Sequence, residues 1–267
     1  MSASLFEYTA GNLPLLISFP HSGTYIPPEL YVRLTPSAQD LPDTDWFVPE
    51  LYNFARELGA SVIRATHTRY VVDLNRPPDG TSLYPGRWGT GLCPTATFDG
   101  AALYRLGFEL DPEEINTRLS RYWQPYHDKL AVTIKELVRT HGICILWDAH
   151  SIRSTVPDLF AGKLPDLNVG TVDGQSCAAG YQDLIMGYLA AQPRFTHVHN
   201  GRFKGGYITR HYGNPGAHVH AVQLEIAQSA YLTESRTPVA NINCSAPLTA
   251  LLKTLLQLVS AYRPPKQ

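Results

Sequence analysis

Apolar residues in this chain gather in short unbroken runs separated by proline and glycine. Leu15, Leu16, Ile17, Ser18 and Phe19 form the first run, which stops at Pro20, His21, Ser22 and Gly23, where proline blocks strand pairing and glycine permits a sharp turn. Cys144 to Trp147 form a second run, following Gly142 and leading into Asp148, Ala149, His150 and Ser151. Four apolar residues are too few for a helix and predict a strand covered on both faces, ending at the acid and the imidazole. Val219 to Ile226 predicts a third strand, with Val222, Leu224 and Ile226 on one face and Glu225 late in the run. Ser61–Ala65, Tyr70–Leu74, Asn168–Thr171 and Thr196–His199 complete the predicted strands.

Between them the period changes. Phe47, Leu51, Phe54 and Leu58 recur at helical spacing after Asp43, Thr44 and Asp45, one of these aspartates being the expected N-cap, and Gly59 ends the pattern; Pro49 leaves the start open. Asp111, Pro112, Glu113 and Glu114 open a helix that runs to Thr140, broken near Pro125 and closed by Gly142. Gln175–Gln192 predicts another, and a helix capped by Ser245 closes the chain with Leu248, Leu251, Leu252, Leu255, Leu256 and Leu258. Strands alternating with helices define the α/β class.

Composition narrows the partners. With 267 residues, 44% of them hydrophobic, residues 1–267 suffice for a single α/β domain. Lys and Arg number 22 against 23 Asp and Glu, so no net basic surface points to nucleic acid or an anionic membrane, and a small-molecule partner is expected. Cys93, Cys144, Cys177 and Cys244 form no C-x-x-C pair. The segment Met1 to Asn12 has no basic n-region, and Leu15–Phe19 is too short to span a bilayer; a cytoplasmic protein with reduced thiols is the expectation.

Candidate chemistry sits at element ends. A strand-end histidine such as His150 serves either packing or ligation, and Asp45 serves either as a cap or as a ligand. Taken together, His21, His150 and Asp45 supply two imidazoles and a carboxylate, the donor set of hydrolytic zinc sites, and Glu225 could move a proton beside them. Arg69, Asp73, Asn75 and Arg76 form either a surface ion-pair group or a carboxylate clamp. The segment Pro77–Gly100, rich in proline and glycine, is expected to cover the site, and Lys204–Gly213 to form a basic binding turn. Ser22 and Ser151 each follow a histidine, but no G-x-S-x-G elbow accompanies them.

The segments Pro20-His21-Ser22-Gly23, Asp43-Thr44-Asp45, Thr68 to Arg76, Asp148-Ala149-His150-Ser151, Ile208 to Gly213 and Gln223-Leu224-Glu225 together resemble the N-formylglutamate amidohydrolase family, from about Leu15 to Glu234. The resemblance implies hydrolysis of N-formyl-L-glutamate to formate and glutamate, a last step of histidine breakdown. It further implies a distant likeness to zinc carboxypeptidases, and so a three-layer α/β/α sandwich with a central mixed, mostly parallel sheet. By that likeness His21, Asp45 and His150 match the metal ligands, with Asp43 as a second carboxylate candidate, and Zn2+ (or Co2+ or Mn2+) is the implied cofactor. Glu225 matches the general base and Arg69 the cation beside the scissile carbonyl. Asn75 and Arg76 match the α-carboxylate pair, and Arg210 is placed to meet the γ-carboxylate. Other N-acyl amino acids, such as N-formylaspartate or a longer N-acylglutamate, are the competing substrates, and a non-catalytic carboxylate-binding protein is the competing class.

Overall fold

The computed structural model describes residues 4–83, 89–236 and 238–263. Tyr84 to Trp88, inside the expected covering segment, lie outside the described residues, as do Met1, Ser2 and Ala3 of the N-terminal segment read above. Seven strands form one mixed sheet: β1 (Phe6–Thr9), β2 (Leu15–Phe19), β3 (Ser61–Ala65), β4 (Cys144–Ile152), β5 (Leu167–Gly170), β6 (His197–His199) and β7 (Val219–Ala227). Their spatial order is β1-β3-β2-β4-β7-β5-β6. The central β3, β2, β4 and β7 run parallel, while β1 and β5 join them antiparallel. A small hairpin of β8 (Leu232–Thr233) and β9 (Val239–Ala240) stands apart.

Helices cover both faces. On one, Leu15, Ile17, Ile145, Trp147, Val222 and Leu224 pack against helices Ala179–Ala190 and Ile242–Ala261. On the other, Leu16, Leu146 and Ala221 meet helix Gln124–His141. Helix Ile242–Ala261 is long and apolar enough to cross a membrane, yet its leucines 248, 251, 252, 255 and 256 are buried in the core. Leu258, grouped with them by spacing, is 40% exposed.

The second face changes character along its length. In register, Leu16, Leu146 and Ala221 lie side by side, then Ser18, Asp148 and Gln223, then His150 and Glu225. Side chains alternate across a sheet, so one face stays apolar while the other turns polar toward the carboxyl ends. The chain leaves β2 for β3 on one side and then reaches β4 on the other, which opens a crevice at those same ends, where open α/β sheets bind ligands.

Several elements differ from expectation. β4 does not stop at Asp148 and His150 but continues to Ile152, because its pairing with β7 extends to Ala227. Tyr70–Leu74 is a series of turns rather than a strand: Arg118 takes the carbonyls of Tyr70 and Val71, and the Asp73 amide bonds Leu92 O. Its apolar residues are buried nonetheless, divided between two clusters. The expected helix after Asp43 is two short turns, Val48–Leu51 and Ala55–Leu58, and Phe47 rather than an aspartate precedes the first, with φ of 58°. The last helix begins at Ile242 and is capped by Asn241, with Pro247 inside it. Lys204–Gly213 holds a short helix, Tyr207–Tyr212, and Leu119–Trp123 is a π-helical stretch ahead of Pro125.

Candidate functional site

Two adjacent parallel strands and a turn deliver the central residues. His21 follows the end of β2, His150 lies in β4, and Asp45 stands on the turn whose amide bonds His21 O at 3.1 Å. All three are buried, and one ligand atom from each lies within 4.8 Å of the others. Asp45 Oδ2 is 3.0 Å from His150 Nδ1 and 3.9 Å from His21 Nδ1.

Each imidazole is held from behind by a buried carboxylate. His21 Nε2 is 2.7 Å from Asp73 Oδ1, and His150 Nε2 is 3.1 Å from Asp148 Oδ2. A donor set of two nitrogens and one oxygen, with the far ring nitrogens fixed by carboxylates, fits a divalent cation: the partner fixes the tautomer and turns the other nitrogen toward the centre. Asp43, the second carboxylate candidate, accepts from Tyr70 Oη at 2.8 Å and from the Phe98 amide at 3.0 Å.

Electrostatics separates the two rings. Burial and the Arg69 guanidinium hold His21 below its ordinary value against the pull of Asp73. Burial also opposes charge on His150, but Asp148 and Asp45 hold it well above. Burial acts against ionisation of Asp73 too, yet Arg69, His21 and Arg76 keep its carboxyl well below the usual range. Glu225 stands opposite His150 in the pairing of β4 and β7, 7% exposed, and burial pushes its carboxyl up to about 8. Gln223 donates to its Oε2 at 3.1 Å, and the Gly206 amide donates to Gln223 Oε1 at 2.6 Å.

The other expected residues divide. Arg69 lines the cavity, bonds Asp73 Oδ2 at 2.6 Å and lies 4.7 Å from the centre of the Phe98 ring. Arg76 lines it too, gripping Thr90 O at 2.8 Å and Asn75 O at 3.1 Å. Asn75 acts as a brace: its Oδ1 accepts the Ile208 amide at 2.8 Å, which orients its Nδ2 toward Asp148 Oδ2 at 3.1 Å, beside His150. Arg210 bonds Gly205 O at 2.9 Å and is not among the described residues lining the cavity. Ser22 donates to Phe19 O, and Ser151 receives Tyr231 Oη and Gln228, bonds of structural serines. Of the covering segment, Leu83, Gly89, Thr90 and Phe98 reach the cavity.

Sequence reasoning passed over four contributors: Asp148 as the brace of His150, Gln223 as that of Glu225, Phe98, and the cavity-lining Arg202. Asp148 and Gln223 had a readable signal, each lying two residues before its client on the same strand face. Phe98 and Arg202 come from irregular segments and carry none.

The fold and the site together define a mixed-sheet α/β protein with a buried histidine–carboxylate centre at the carboxyl ends of its parallel strands. The sequence profile of N-formylglutamate amidohydrolase matches residues 13–232. N-formylglutamate deformylases of Pseudomonas putida and Pseudomonas aeruginosa are each 46% identical over 258 residues, covering 97% of this chain and 96% and 97% of theirs. An N-formylglutamate amidohydrolase structure from Ralstonia eutropha JMP134 superposes with a TM-score of 0.84 at 23% identity, covering 97% of this chain and 98% of that one. A gene product of Agrobacterium tumefaciens shares the fold with a TM-score of 0.70 at 17% identity, each chain 95% covered. The chain belongs to the N-formylglutamate amidohydrolase family.

Proposed function

We propose that this protein hydrolyses N-formyl-L-glutamate to formate and L-glutamate with the help of a divalent ion, Zn2+ by its nitrogen-rich donor set, as the last step of a histidine degradation route. The observation that carries the reading is the convergence of His21, Asp45 and His150 within 4.8 Å in a chain 46% identical to N-formylglutamate deformylases. Held by those three, the ion would supply Lewis acidity and acidify a water molecule.

The protein's own groups carry the rest. Glu225 accepts a proton from the attacking water at its carboxylate and passes it to the departing amino nitrogen; a carboxyl lifted toward neutrality suits both halves of that transfer. Gln223 donates to one oxygen of this carboxylate and so restrains a residue that lines the cavity. Arg69, kept charged by Asp73, Asp45 and Asp43 against the cost of burial, stabilises negative charge developing on the formyl oxygen. Arg76 takes the α-carboxylate, while Asn75 locks Asp148 and His150 in place. Phe98 over Arg69 dries that side of the cavity and strengthens these charges.

The test is formate release from N-formylglutamate by protein of known metal content, before and after chelation. Expected are turnover by the loaded protein, its loss on chelation and its recovery on adding Zn2+. Absence of formate from the loaded protein would sink the substrate, and full turnover by metal-free protein would sink the ion.

A further inference from the structure

Resting on that reading of the site, we propose that Arg202 recognises the side-chain carboxylate of the substrate and so selects a dicarboxylate N-formyl amino acid over its neutral isostere. The substrate fixes what is needed. Its α-carboxylate is attached to the carbon bearing the reacting nitrogen, so the first cation must stand beside the histidine–carboxylate centre. Its second carboxylate lies two methylenes further away, so a second cation must stand beyond an apolar stretch.

Among the described residues, three guanidinium groups line the cavity: Arg69, Arg76 and Arg202. Arg69 is bound to Asp73 at 2.6 Å. Arg76 lies 3.9 Å from the same carboxylate, which buttresses His21, and therefore belongs to the near end. Arg202 arrives from a separate segment, beyond β6, and its Nε donates to Leu159 O at 2.9 Å. The wall it shares with Leu159, Phe203, Ile152 and Phe98 is apolar, the surface two methylenes require.

The segment that carries Arg202 is held at both ends. The Asn200 amide bonds Val169 O at 2.7 Å, Asn200 Oδ1 accepts the Thr171 amide at 2.8 Å, and Lys204 O accepts the Val172 amide at 2.6 Å. Downstream, Gly206 passes so near Asn75 that a Cβ there would lie 2.4 Å from Nδ2. A guanidinium fixed in advance loses little freedom on meeting a carboxylate, and its planar fork matches two oxygens at once. Arg210, the side-chain anchor expected from sequence, bonds Gly205 O and stands outside this lining.

The experiment compares kcat/KM for N-formylglutamate and N-formylglutamine, equal in length and different in charge, in the parent chain, Arg202→Gln, Arg202→Lys and Arg210→Gln. In Arg202→Gln the glutamate-to-glutamine ratio is expected to fall by about 30- to 1,000-fold, chiefly through KM for N-formylglutamate, with partial recovery in Arg202→Lys. An equal loss on both substrates, an unchanged ratio, or a collapse confined to Arg210→Gln would overturn the assignment while leaving the activity intact. Should the parent chain release formate from neither substrate, the functional reading fails instead. Calorimetry with L-glutamate and L-glutamine then decides: a preference for glutamate lost in Arg202→Gln supports the anchor, and an equal preference in both proteins overturns it.

Discussion

Two buried histidine neighbourhoods lie on the same side of the sheet, joined through consecutive residues, and they are built from opposite kinds of partner. His127 rests against Trp123 with ring centroids 3.6 Å apart. Its Nε2 donates to Leu74 O at 2.9 Å, and its Nδ1 lies 3.0 Å from Tyr212 Oη. Both nitrogens are used by neutral groups, and burial lowers its pKa to about 3. One residue after Leu74, the Asn75 side chain reaches His150, where carboxylates stand at both ring nitrogens and hold the ring well above its ordinary value. Burial is common to the two; the partners at the ring nitrogens differ, neutral groups at His127 and carboxylates at His150.

The contrast is strained most by removing the proposed proton carrier beside His150. Glu225→Gln keeps size and burial but cannot cycle a proton, so kcat is expected to fall roughly 10²- to 10⁴-fold with bound metal retained. Formate release together with metal analysis checks it, and near-parental kcat would reject the role. A smaller effect follows from weakening the brace. Asp148→Asn should lower metal affinity about 10- to 100-fold, read by competition with a chromophoric chelator; parental affinity would mean that His150 needs no carboxylate behind it.

The smallest effect sharpens the other half. His127 has a folded pKa of about 3 against an ordinary 6.5, so its contribution to stability is present above 6.5 and is lost as pH falls toward 3. His127→Gln retains a donor for Leu74 O but does not titrate. Between pH 6.5 and about pH 4, the parent's unfolding free energy should therefore drop by up to ~1.4 kcal/mol per pH unit more than the variant's. Denaturant titrations at several pH values measure the difference, and parallel slopes would show that His127 already carries its proton in the fold.

The strands that build the site were legible because a run covered on both faces needs little context. Leu15–Phe19 and Cys144–Trp147 both lie in strands, and alternation of strands and helices gave the α/β class, while the mixed sheet with helices on both sides was implied by the family resemblance. Tyr70–Leu74 misled because alternation reports burial, while the partner of a backbone carbonyl is settled by residues far away, in this case Arg118. The turn at Phe47 was hidden because a positive φ at a bulky residue is not signalled by apolar spacing. His21, Asp45 and His150 could be named as residues, but their meeting depends on β2 lying beside β4, a long-range choice. Arg202 comes from an irregular segment whose path is set by bonds to Val169, Thr171 and Val172, and no local pattern encodes that path.

The pairing of His150 with Glu225 ties the proposed reacting groups to the centre of the sheet. Adjacent central strands, buried along their whole length, come apart only when the entire domain does. The arm bearing Arg202, by contrast, is fastened at the sheet's rim by three backbone-amide bonds, and rim segments open at a lower free energy than central strands. With Arg202 as the proposed side-chain anchor, dilute urea is expected to narrow the preference for glutamate over glutamine before it lowers formate release, so that discrimination fades first and chemistry last.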